Sequence, residues 1–379
     1  MKVLLLTDGV YPYALGGMQK HSNNLARYLA REGCEVTLAH CVYGENVIPD
    51  NRTVAKELEV TAVVGFKFPD SIHLPGHYIL NSRKYSQLLY EHFKTDMASF
   101  DVIYAQGFTA WTMLKRRNQN VCTPVVLNLH GIEMYQPAFS FKERLEKSLL
   151  RIPAKSLIKN ADFIQSLGGK LTARLNQLSH KSKVWECGIG IESSWYRDVN
   201  ELQVHEGVLK FVFIGRHEAR KGLHLLNPVL QRLSNAQQEF AIDFIGEIPA
   251  AMQLSGKEFT YHGKIMDENK IQNILDQCDV LLLTSLSEGM PTVVLEAMTR
   301  GLAVLATDVG AVAKLVSADN GQLIQPGNVK ELEEGILSFC SMDADQLLKK
   351  KQHSIQKATP FKWDVIIKDY VAFLSSISG

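Results

Sequence analysis

The sequence predicts an α/β protein of two similar units, each built on a parallel sheet with helices on both faces. Short apolar runs alternate with longer segments of helical periodicity along the whole chain. This series of runs restarts near residue 210, and 379 residues are more than one hydrophobic core usually covers. We therefore expect one domain over residues 1–195 and a second over 205–362.

The apolar runs locate the strands of each unit. In the first unit they predict strands at 3–7, 35–40, 101–105, 125–129 and 163–166. In the second unit they predict strands at 210–215, 241–246, 259–263, 280–284, 302–307 and 321–324. Glycines and polar residues predict a hinge at 188–194 that extends to Gly207. A last helix is expected at 365–374, after Pro360 interrupts the preceding pattern.

Composition excludes several classes of protein. A net charge of +1 gives no reason to expect nucleic-acid binding. The six cysteines are scattered without a C-x-x-C pair, which favours buried thiols in a reduced, cytoplasmic protein. The first apolar run is too short for a signal peptide, and no apolar stretch is long enough to span a membrane.

Residues 142–183 form a basic segment, with ten Lys and Arg against three acids. Interleaved leucines and isoleucines make part of this segment a basic amphipathic helix. Such a helix can lie on anionic lipid, which predicts peripheral contact with the inner face of the cytoplasmic membrane. A solvated helix that covers the core explains the same pattern equally well.

Two acids, Glu288 and Glu296, bracket a Gly-Met-Pro turn after the apolar strand predicted at 280–284. Pro291 suits the first turn of a helix, whose free N–H groups can bind phosphate. Two nearby carboxylates can accept hydrogen bonds from vicinal hydroxyls. Phosphate donors beside hydroxyl acceptors are what a nucleotide sugar requires. The alternative is that Glu288 only caps the helix and that Glu296 is a solvated first-turn acid.

Further candidate residues follow other predicted strands. Gly16 and Gly17 could let the backbone approach an anion, although they lack G-x-G-x-x-G spacing and a plain turn is the alternative. Arg216 and Lys221 lie on the loop that opens at Gly215, where they could bind phosphate, whereas Arg220 is expected to be a solvated cation.

His130 and a D-x-D sequence complete the set of candidates. His130 comes at the end of a strand, where a catalytic and a structural role are equally compatible with its position. Asp343 and Asp345 lie in a polar helical region and are assigned to solvent. No other spacing in the sequence suggests a metal site.

Together these segments resemble the retaining nucleotide-sugar glycosyltransferases of family 4, which have the GT-B fold. The resemblance rests on Gly16-Gly17, Gly215-Arg216, Lys221-Gly222, the pair Glu288 and Glu296, and the closing Phe361-x-Trp363. It implies two Rossmann-like domains facing across a cleft, the donor held mainly by the second. It also implies that the final helix, 363–379, crosses back to the first domain. Neither a metal, a cofactor nor a protein nucleophile is required.

The resemblance also implies a role for each site residue. Glu288 would bind the transferred sugar with the backbone of Gly289 and Met290, while Glu296 would bind the ribose and His130 would approach the sugar. The diphosphate would face Arg216, Lys221, the N–H groups of Thr292 and Val293, and the Gly16-Gly17 loop. Gly215 belongs to the donor site, and the base pocket would include Gly246, Glu247, Gly263, Lys264 and Ile265. Met290-Pro291 departs from the commoner Phe-Gly, and Pro291 cannot donate an N–H.

The function expected from this resemblance is transfer of a hexose from a nucleotide-diphosphate sugar such as a UDP-sugar. The acceptor would be a hydroxyl of a glycan or lipid-linked molecule in cell-envelope polysaccharide or glycolipid assembly. We expect the acceptor on the first domain, near the aromatic loop 66–77. The alternatives are a nucleotide-sugar epimerase on the same fold and a sugar-binding protein without catalysis.

Overall fold

A computed structural model of the chain describes residues 1–14, 16–70, 77–117, 123–179, 183–204 and 207–378. The chain forms two compact units, Met1–Gly190 with Trp363–Gly379, and Ile191–Lys362. The sequence assigned residues 191–195 to the first unit, but the structure places them in the second. Ile191 bridges to Lys362, and the Trp195 indole donates a 3.3 Å hydrogen bond to Glu268, which together hold this segment on the second unit.

The first unit contains a parallel sheet of seven strands in the order β3-β2-β1-β4-β5-β6-β7. Its strands are β1 (Lys2–Leu6), β2 (Glu35–Val42), β3 (Ala62–Lys67), β4 (Val102–Gln106), β5 (Val125–Asn128), β6 (Phe163–Ser166) and β7 (Lys183–Glu186). The helices of the described residues that connect them are α1 (Gly17–Arg31), α2 (Asn51–Glu57), α3 (His77–Phe93), α4 (Trp111–Arg116), α5 (Phe141–Asn160) and α6 (Lys170–Leu178).

The second unit repeats this arrangement with six parallel strands in the order β10-β9-β8-β11-β12-β13. Its strands are β8 (Lys210–Ile214), β9 (Ala241–Ile245), β10 (Phe259–Tyr261), β11 (Val280–Leu283), β12 (Ala303–Thr307) and β13 (Gly321–Ile324). Its helices are α7 (Leu223–Asn235), α8 (Glu268–Leu275), α9 (Thr292–Thr299), α10 (Val312–Leu315), α11 (Val329–Cys340) and α12 (Ala344–Ala358). All six strands predicted for this unit are present.

The last helix, α13 (Trp363–Ile377), packs on the first unit, as the resemblance implied. Trp363 is fully buried and stacks on Tyr28 of α1, with the ring centroids 5.4 Å apart. The hydroxyl of Tyr370 donates a 3.0 Å hydrogen bond to the Gly188 carbonyl. The helix therefore completes the core of the unit that begins at residue 1.

The segment 66–77, predicted as a loop that faces the acceptor, is only partly a loop. Phe66 lies in β3 and Phe68 is buried, with its ring centroid 4.8 Å from that of Tyr43. Both phenylalanines also pack against Tyr85. Phe68 belongs to the core, and Phe66 is half-buried because the edge strand continues through it. Residues 71–76 lie outside the described part of the chain.

Other predictions concern cysteines, aspartates and membrane spans. Cys34, Cys41, Cys187 and Cys278 are buried free thiols, as expected, Cys340 is a half-buried one, and Cys122 lies outside the described residues. Asp343 caps α12 by accepting a 2.8 Å hydrogen bond from the Gln346 N–H. Across the described ranges, none of the helices combines the length and the apolar character needed to cross a bilayer.

Candidate functional site

Two loops of the second unit are joined where β8 and β11 end. The Thr284 hydroxyl donates to the Lys221 carbonyl at 2.9 Å, and the Leu286 N–H donates to the Arg220 carbonyl at 2.8 Å. Gly222, at φ +72°, starts α7 at this junction. A Cβ atom there would lie 2.0 Å from the Thr284 carbonyl oxygen, so the approach of the two loops requires glycine.

The carboxylate of Glu288 lies at the centre of a charged cluster on these loops. Its Oε1 accepts hydrogen bonds from Lys221 Nζ and from the Ser285 hydroxyl, both at 2.7 Å, and its Oε2 accepts from Arg220 at 3.0 Å. The residue is 7% exposed, so these charge-assisted bonds offset the cost of burying it. Pro291, the residue that precedes α9, makes no side-chain hydrogen bond to cap the helix, and the contacts of Glu288 described above are to the loop that carries Arg220 and Lys221 and to Ser285.

Arg220 is not the solvated cation that the sequence predicted. Besides Glu288, its guanidinium contacts Glu218 at 3.1 Å and the Ser287 carbonyl at 3.2 Å, and its own carbonyl accepts the Leu286 N–H. Arg216 is the more exposed of the two: its side chain is 73% accessible and it pairs with Glu218 at 2.9 Å. The cluster thus contains three cations and two carboxylates, with Arg220 and Lys221 at its buried end.

The N-terminus of α9 follows the same loop. Pro291, expected in the first turn, instead precedes the helix, and Thr292 and Val293 open it with half-buried side chains. Glu296 lies in the middle of α9 and is also half-buried. Met290 is buried, at 6% exposure.

A glycine supports the backbone of Glu288 and Gly289 from the neighbouring loop. Gly310 has φ +53°, and a Cβ atom there would lie 2.3 Å from the carbonyl oxygens of both residues. The Ala311 N–H donates to the Gly289 carbonyl at 2.9 Å. The sequence suggested no site residue at Gly310. In the structure, Gly310 and Ala311 nevertheless support the loop that carries Glu288.

The glycines at the ends of β8, β9 and β10 also meet. The Gly246 N–H donates to the Gly263 carbonyl at 2.8 Å, and a Cβ atom on Gly246 would lie 2.0 Å from the Gly215 carbonyl oxygen. Next to Gly263, an open depression of about 670 Å³ is lined by Lys264 and Ile265 among others. Of the residues that the resemblance assigned to the base pocket, the structure thus joins Gly246 to Gly263 and places Lys264 and Ile265 in the lining of the depression, whereas Gly246 and Glu247 are not part of that lining.

The first unit has a cavity of about 390 Å³ near the ends of β1, β4 and β5, hereafter the first-unit cavity. Most of its lining is apolar, and its polar residues include Asp8, His130 and Glu133. Gly16 and Gly17 open α1, and Met18, the next residue, lines the cavity. The structure therefore brings His130 close to the helix that begins at the predicted Gly-Gly turn.

His130 is held in a left-handed backbone conformation, with φ +53°. Its N–H donates to the Asn128 side chain at 2.7 Å, and its ring centroid is 5.8 Å from that of His21. Nε2 of His130 is buried without a hydrogen-bond partner among the described residues. Burial lowers the pKa of His130 to about 4 and, with the adjacent His130, that of His21 to about 3. Both rings are therefore neutral at pH 7.

Asp8 is a site residue that the sequence analysis missed. It lines the first-unit cavity, and within the described residues its buried Oδ1 has no hydrogen-bond partner. Burial raises the pKa of Asp8 to about 7, so near neutral pH its carboxyl group can both donate and accept a hydrogen bond. Its position in the sequence could have identified it, because Asp8 follows the first strand at the carboxyl edge of the sheet, where ligands bind in parallel α/β sheets.

In the ranges that the structure describes, no three or more His, Cys, Asp or Glu side chains are grouped so as to hold a metal ion.

Two family models match the chain, one in each unit. The model described as Glycosyltransferase Family 4 matches residues 15–192, and the model described as Glycosyl transferases group 1 matches residues 197–360. TuaC of Bacillus subtilis (strain 168), a glycosyltransferase assigned to teichuronic acid biosynthesis, is 27% identical over 224 residues. That alignment covers 57% of this chain and 55% of TuaC, so the chain spans little more than half of the relative.

Solved structures share the fold across the chain. Sucrose-phosphate synthase from Thermosynechococcus elongatus has a TM-score of 0.80 at 15% identity, covering 99% of this chain and 98% of its own. HepE of Anabaena, in complex with UDP and glucose, has a TM-score of 0.69 at 18% identity and covers 99% of this chain and 100% of its own. At these identities the likeness concerns the fold alone.

Proposed function

Because the chain belongs to the family-4 (group 1) glycosyltransferases and has their GT-B fold, we propose that it is a retaining hexosyltransferase. Its donor is a nucleotide-diphosphate sugar, and its acceptor is a hydroxyl group of a glycan or a lipid-linked molecule. The likeness to TuaC supports a role in polysaccharide or glycolipid assembly. HepE, which was solved with UDP and glucose, supports UDP-sugars as the first donors to test.

The observation that carries this proposal is the cluster of the buried Glu288 with the half-buried Lys221 and Arg220 beside the start of α9. Two cations and the free N–H groups of a helix N-terminus are suited to a diphosphate. Because these groups are already held by Glu288, little reorganisation is needed when negative charge develops on the departing nucleotide. Glu288 has the further role of orienting the hydroxyls of the transferred sugar.

In the proposed reaction the acceptor hydroxyl attacks the anomeric carbon on the face from which the diphosphate leaves. The bond between that carbon and the diphosphate oxygen breaks, and both its electrons leave with the nucleotide diphosphate. The acceptor proton passes to a β-phosphate oxygen of the leaving group. Lys221 and Arg220 stabilise the negative charge that develops on the departing diphosphate.

The test is incubation of the purified full chain with a panel of UDP- and GDP-sugars. Nucleotide diphosphate release is measured with and without short glycan acceptors, and the anomeric configuration of the product is read by NMR. We expect release from one donor class, retention in the product, and an undiminished rate in the presence of EDTA. Glu288→Gln should lower the rate at least tenfold, whereas Glu334→Gln, on an exposed pair with Lys330, should not change it.

Other outcomes contradict the proposal. Interconversion of the donor sugar without an acceptor would indicate an epimerase. Donor binding without release or transfer across the panel would indicate a sugar-binding protein. Inversion at the anomeric carbon would exclude the retaining mechanism.

A further inference from the structure

Helix α5 has two apolar faces, and the first unit buries only one of them. Pro153, Ala154, Leu157 and Ile158 are buried in the core. A second set remains accessible, at 82%, 51%, 37% and 70% for Phe141, Leu145, Leu149 and Ile152, respectively. An ordinary surface helix buries one apolar stripe and presents polar residues on the other side. Packing of the first unit therefore does not explain the second set.

The four exposed residues form a continuous stripe, which we call the α5 stripe. Their spacings of four, four and three residues place them within about 80° of one another around the helix axis. Along the axis they extend over about 16 Å, since each residue of an α-helix rises about 1.5 Å. Contiguous exposed apolar surface of this kind is typical of an interaction site.

The charges on α5 favour an anionic partner. The helix contains six Lys and Arg against two Glu. At the helical period, Lys142 flanks one side of the stripe, Arg144 and Lys155 flank the other, and all three side chains are exposed. Of the two acids, Glu143 pairs with Lys147 at 2.6 Å, and Glu146 lines the first-unit cavity and lies 4.0 Å from Lys142, whose side chain remains 83% exposed. An apolar stripe with cations at both edges matches the interface of an anionic bilayer.

The α5 stripe also lies on the helix that borders the first-unit cavity. Glu146 and Leu150 contribute to the lining of that cavity, and they alternate along α5 with the exposed Leu145 and Leu149. A molecule held in a membrane against the stripe would therefore be next to the cavity. This arrangement suits an acceptor with its reactive hydroxyl on a polar head group and an apolar anchor in the bilayer.

We propose that the α5 stripe, with Lys142, Arg144 and Lys155, is a membrane-binding face for anionic lipid and that it presents the first-unit cavity to a lipid-linked acceptor. The statement about the acceptor rests on the proposed function, whereas the statement about membrane binding does not. The polar residues of the cavity, Asp8 and Glu133, then meet the acceptor's head group. The proposal thus assigns the membrane contact that was predicted for the basic segment 142–183 to a single helix, α5.

The test is sedimentation of the full chain with vesicles of phosphatidylcholine alone or mixed with phosphatidylglycerol. We expect binding to the anionic vesicles that weakens as salt is added, because salt screens the cations. The double variant Phe141→Ser and Ile152→Ser should lose at least tenfold in binding. Reversing the charge of Lys142 and Lys155 should lower binding by about fivefold or more for each site.

Matched controls replace exposed residues elsewhere. Val47→Ser removes a side chain that is 85% exposed in the first unit, and Lys330→Glu reverses an exposed charge in the second. Both should bind vesicles like the wild type. Since every substituted side chain is exposed, unchanged melting temperatures would show that the variants are folded.

Three results would overturn the proposal. The first is equal binding of the wild type to neutral and anionic vesicles. The second is undiminished binding by the Phe141→Ser and Ile152→Ser variant. The third is loss of a dimer in that variant without vesicles, since a second copy would then cover the stripe. Donor turnover with a short soluble acceptor should be the same in this variant as in the wild type, which separates failure of the membrane face from failure of the proposed function.

Discussion

Single residues of the site differ in how strongly their surroundings constrain them. Glu288 is buried and bonded to Lys221, Arg220 and Ser285, so its position follows from a network. Asp8 is half-buried beside Gly107, at which a Cβ atom would lie 2.9 Å from Asp8 Oδ2. Removing one partner of a buried charge is costly because the other is left uncompensated. Substitutions in the cluster therefore need a stability measurement alongside any activity measurement.

The ionisation of Asp8 predicts a pH dependence of stability. The folded protein raises the pKa of Asp8 from 3.8 to about 7, so the contribution of this group is most favourable below pH 3.8 and is lost as pH rises through about 7. Asp8→Asn should therefore raise the melting temperature relative to the wild type at pH 8, and the difference should diminish toward pH 4.

Differential scanning fluorimetry at several pH values measures this effect, and Asp345→Asn, at an exposed position, is the control. A difference between Asp8→Asn and the wild type that stays constant from pH 4 to pH 8 would contradict the assignment.

Some site residues could be predicted from their position after a strand, but that position did not show which of their side chains are buried. Lys221, Glu288 and His130 were predicted because each follows an apolar run at the carboxyl edge of a sheet. Arg220 occupies the same loop as Arg216, and only the fold shows that Arg220 turns toward Glu288 while Arg216 remains exposed. Asp8 was missed because the cavity that it lines is formed by segments far apart in the sequence.

Among secondary-structure elements, the strands that sequence reasoning missed are both at the edges of the first sheet. β3 contains Gly65, and β7 is a short strand with both of its ends exposed. Gly65 interrupts the apolar run of β3, and charged residues stand at both ends of β7, so neither strand has the uninterrupted apolar run that identifies a buried parallel strand. The central strands of both sheets are rich in apolar residues, which explains why they were predicted, whereas the predicted edge strands β10 and β13 are short and include polar residues.

At the same scale, the junction between the loops after β8 and β11 predicts an unusual sensitivity at Gly222. Its left-handed backbone alone costs about 1–3 kcal/mol for a residue other than glycine, and an added Cβ would also meet the Thr284 carbonyl. Gly222→Ala should therefore lower both the free energy of unfolding and the rate of transfer, because it separates Lys221 from the loop that carries Glu288.

Gly207→Ala provides the comparison, since Gly207 also has a positive φ but a Cβ there would meet nothing within 4 Å. Urea denaturation monitored by circular dichroism distinguishes the two variants. Equal losses of stability would mean that the loop junction is not tight.

At the scale of the whole molecule, helix α13 at the end of the chain packs on the first unit. It therefore belongs to the same core as residues 1–190. Trp363 is fully buried, packs on Tyr28, and lies where any Cβ on Gly190 would collide with it. Trp363→Ala should destabilise the first unit by about 3–5 kcal/mol through loss of packing.

Calorimetry of the full chain should show the transition of one unit shifted to lower temperature in Trp363→Ala. Val365→Ala, at a side chain that is 43% exposed on the same helix, should change stability by no more than about 0.5 kcal/mol. An unchanged thermogram for Trp363→Ala would show that α13 does not stabilise the unit on which it packs.

The two-unit architecture was predictable because strand runs and helical periodicity recur along the chain, and the order of strands is the same in both sheets apart from the added edge strand β7. What the sequence could not predict is which side chains share a cavity, since that depends on packing between segments far apart in sequence. The first-unit cavity and the exposed face of α5 are both properties of this kind.

The most direct measurement is calorimetric titration of UDP into the folded wild type, Lys221→Ala and Lys330→Ala. If Lys221, held by Glu288, neutralises the diphosphate, its removal should weaken UDP binding about tenfold or more, equivalent to about 1.4 kcal/mol. Lys330→Ala removes a cation whose side chain is 84% exposed and should bind UDP like the wild type. UDP affinity in a folded Lys221→Ala equal to that of the wild type would contradict the donor site proposed for the second unit.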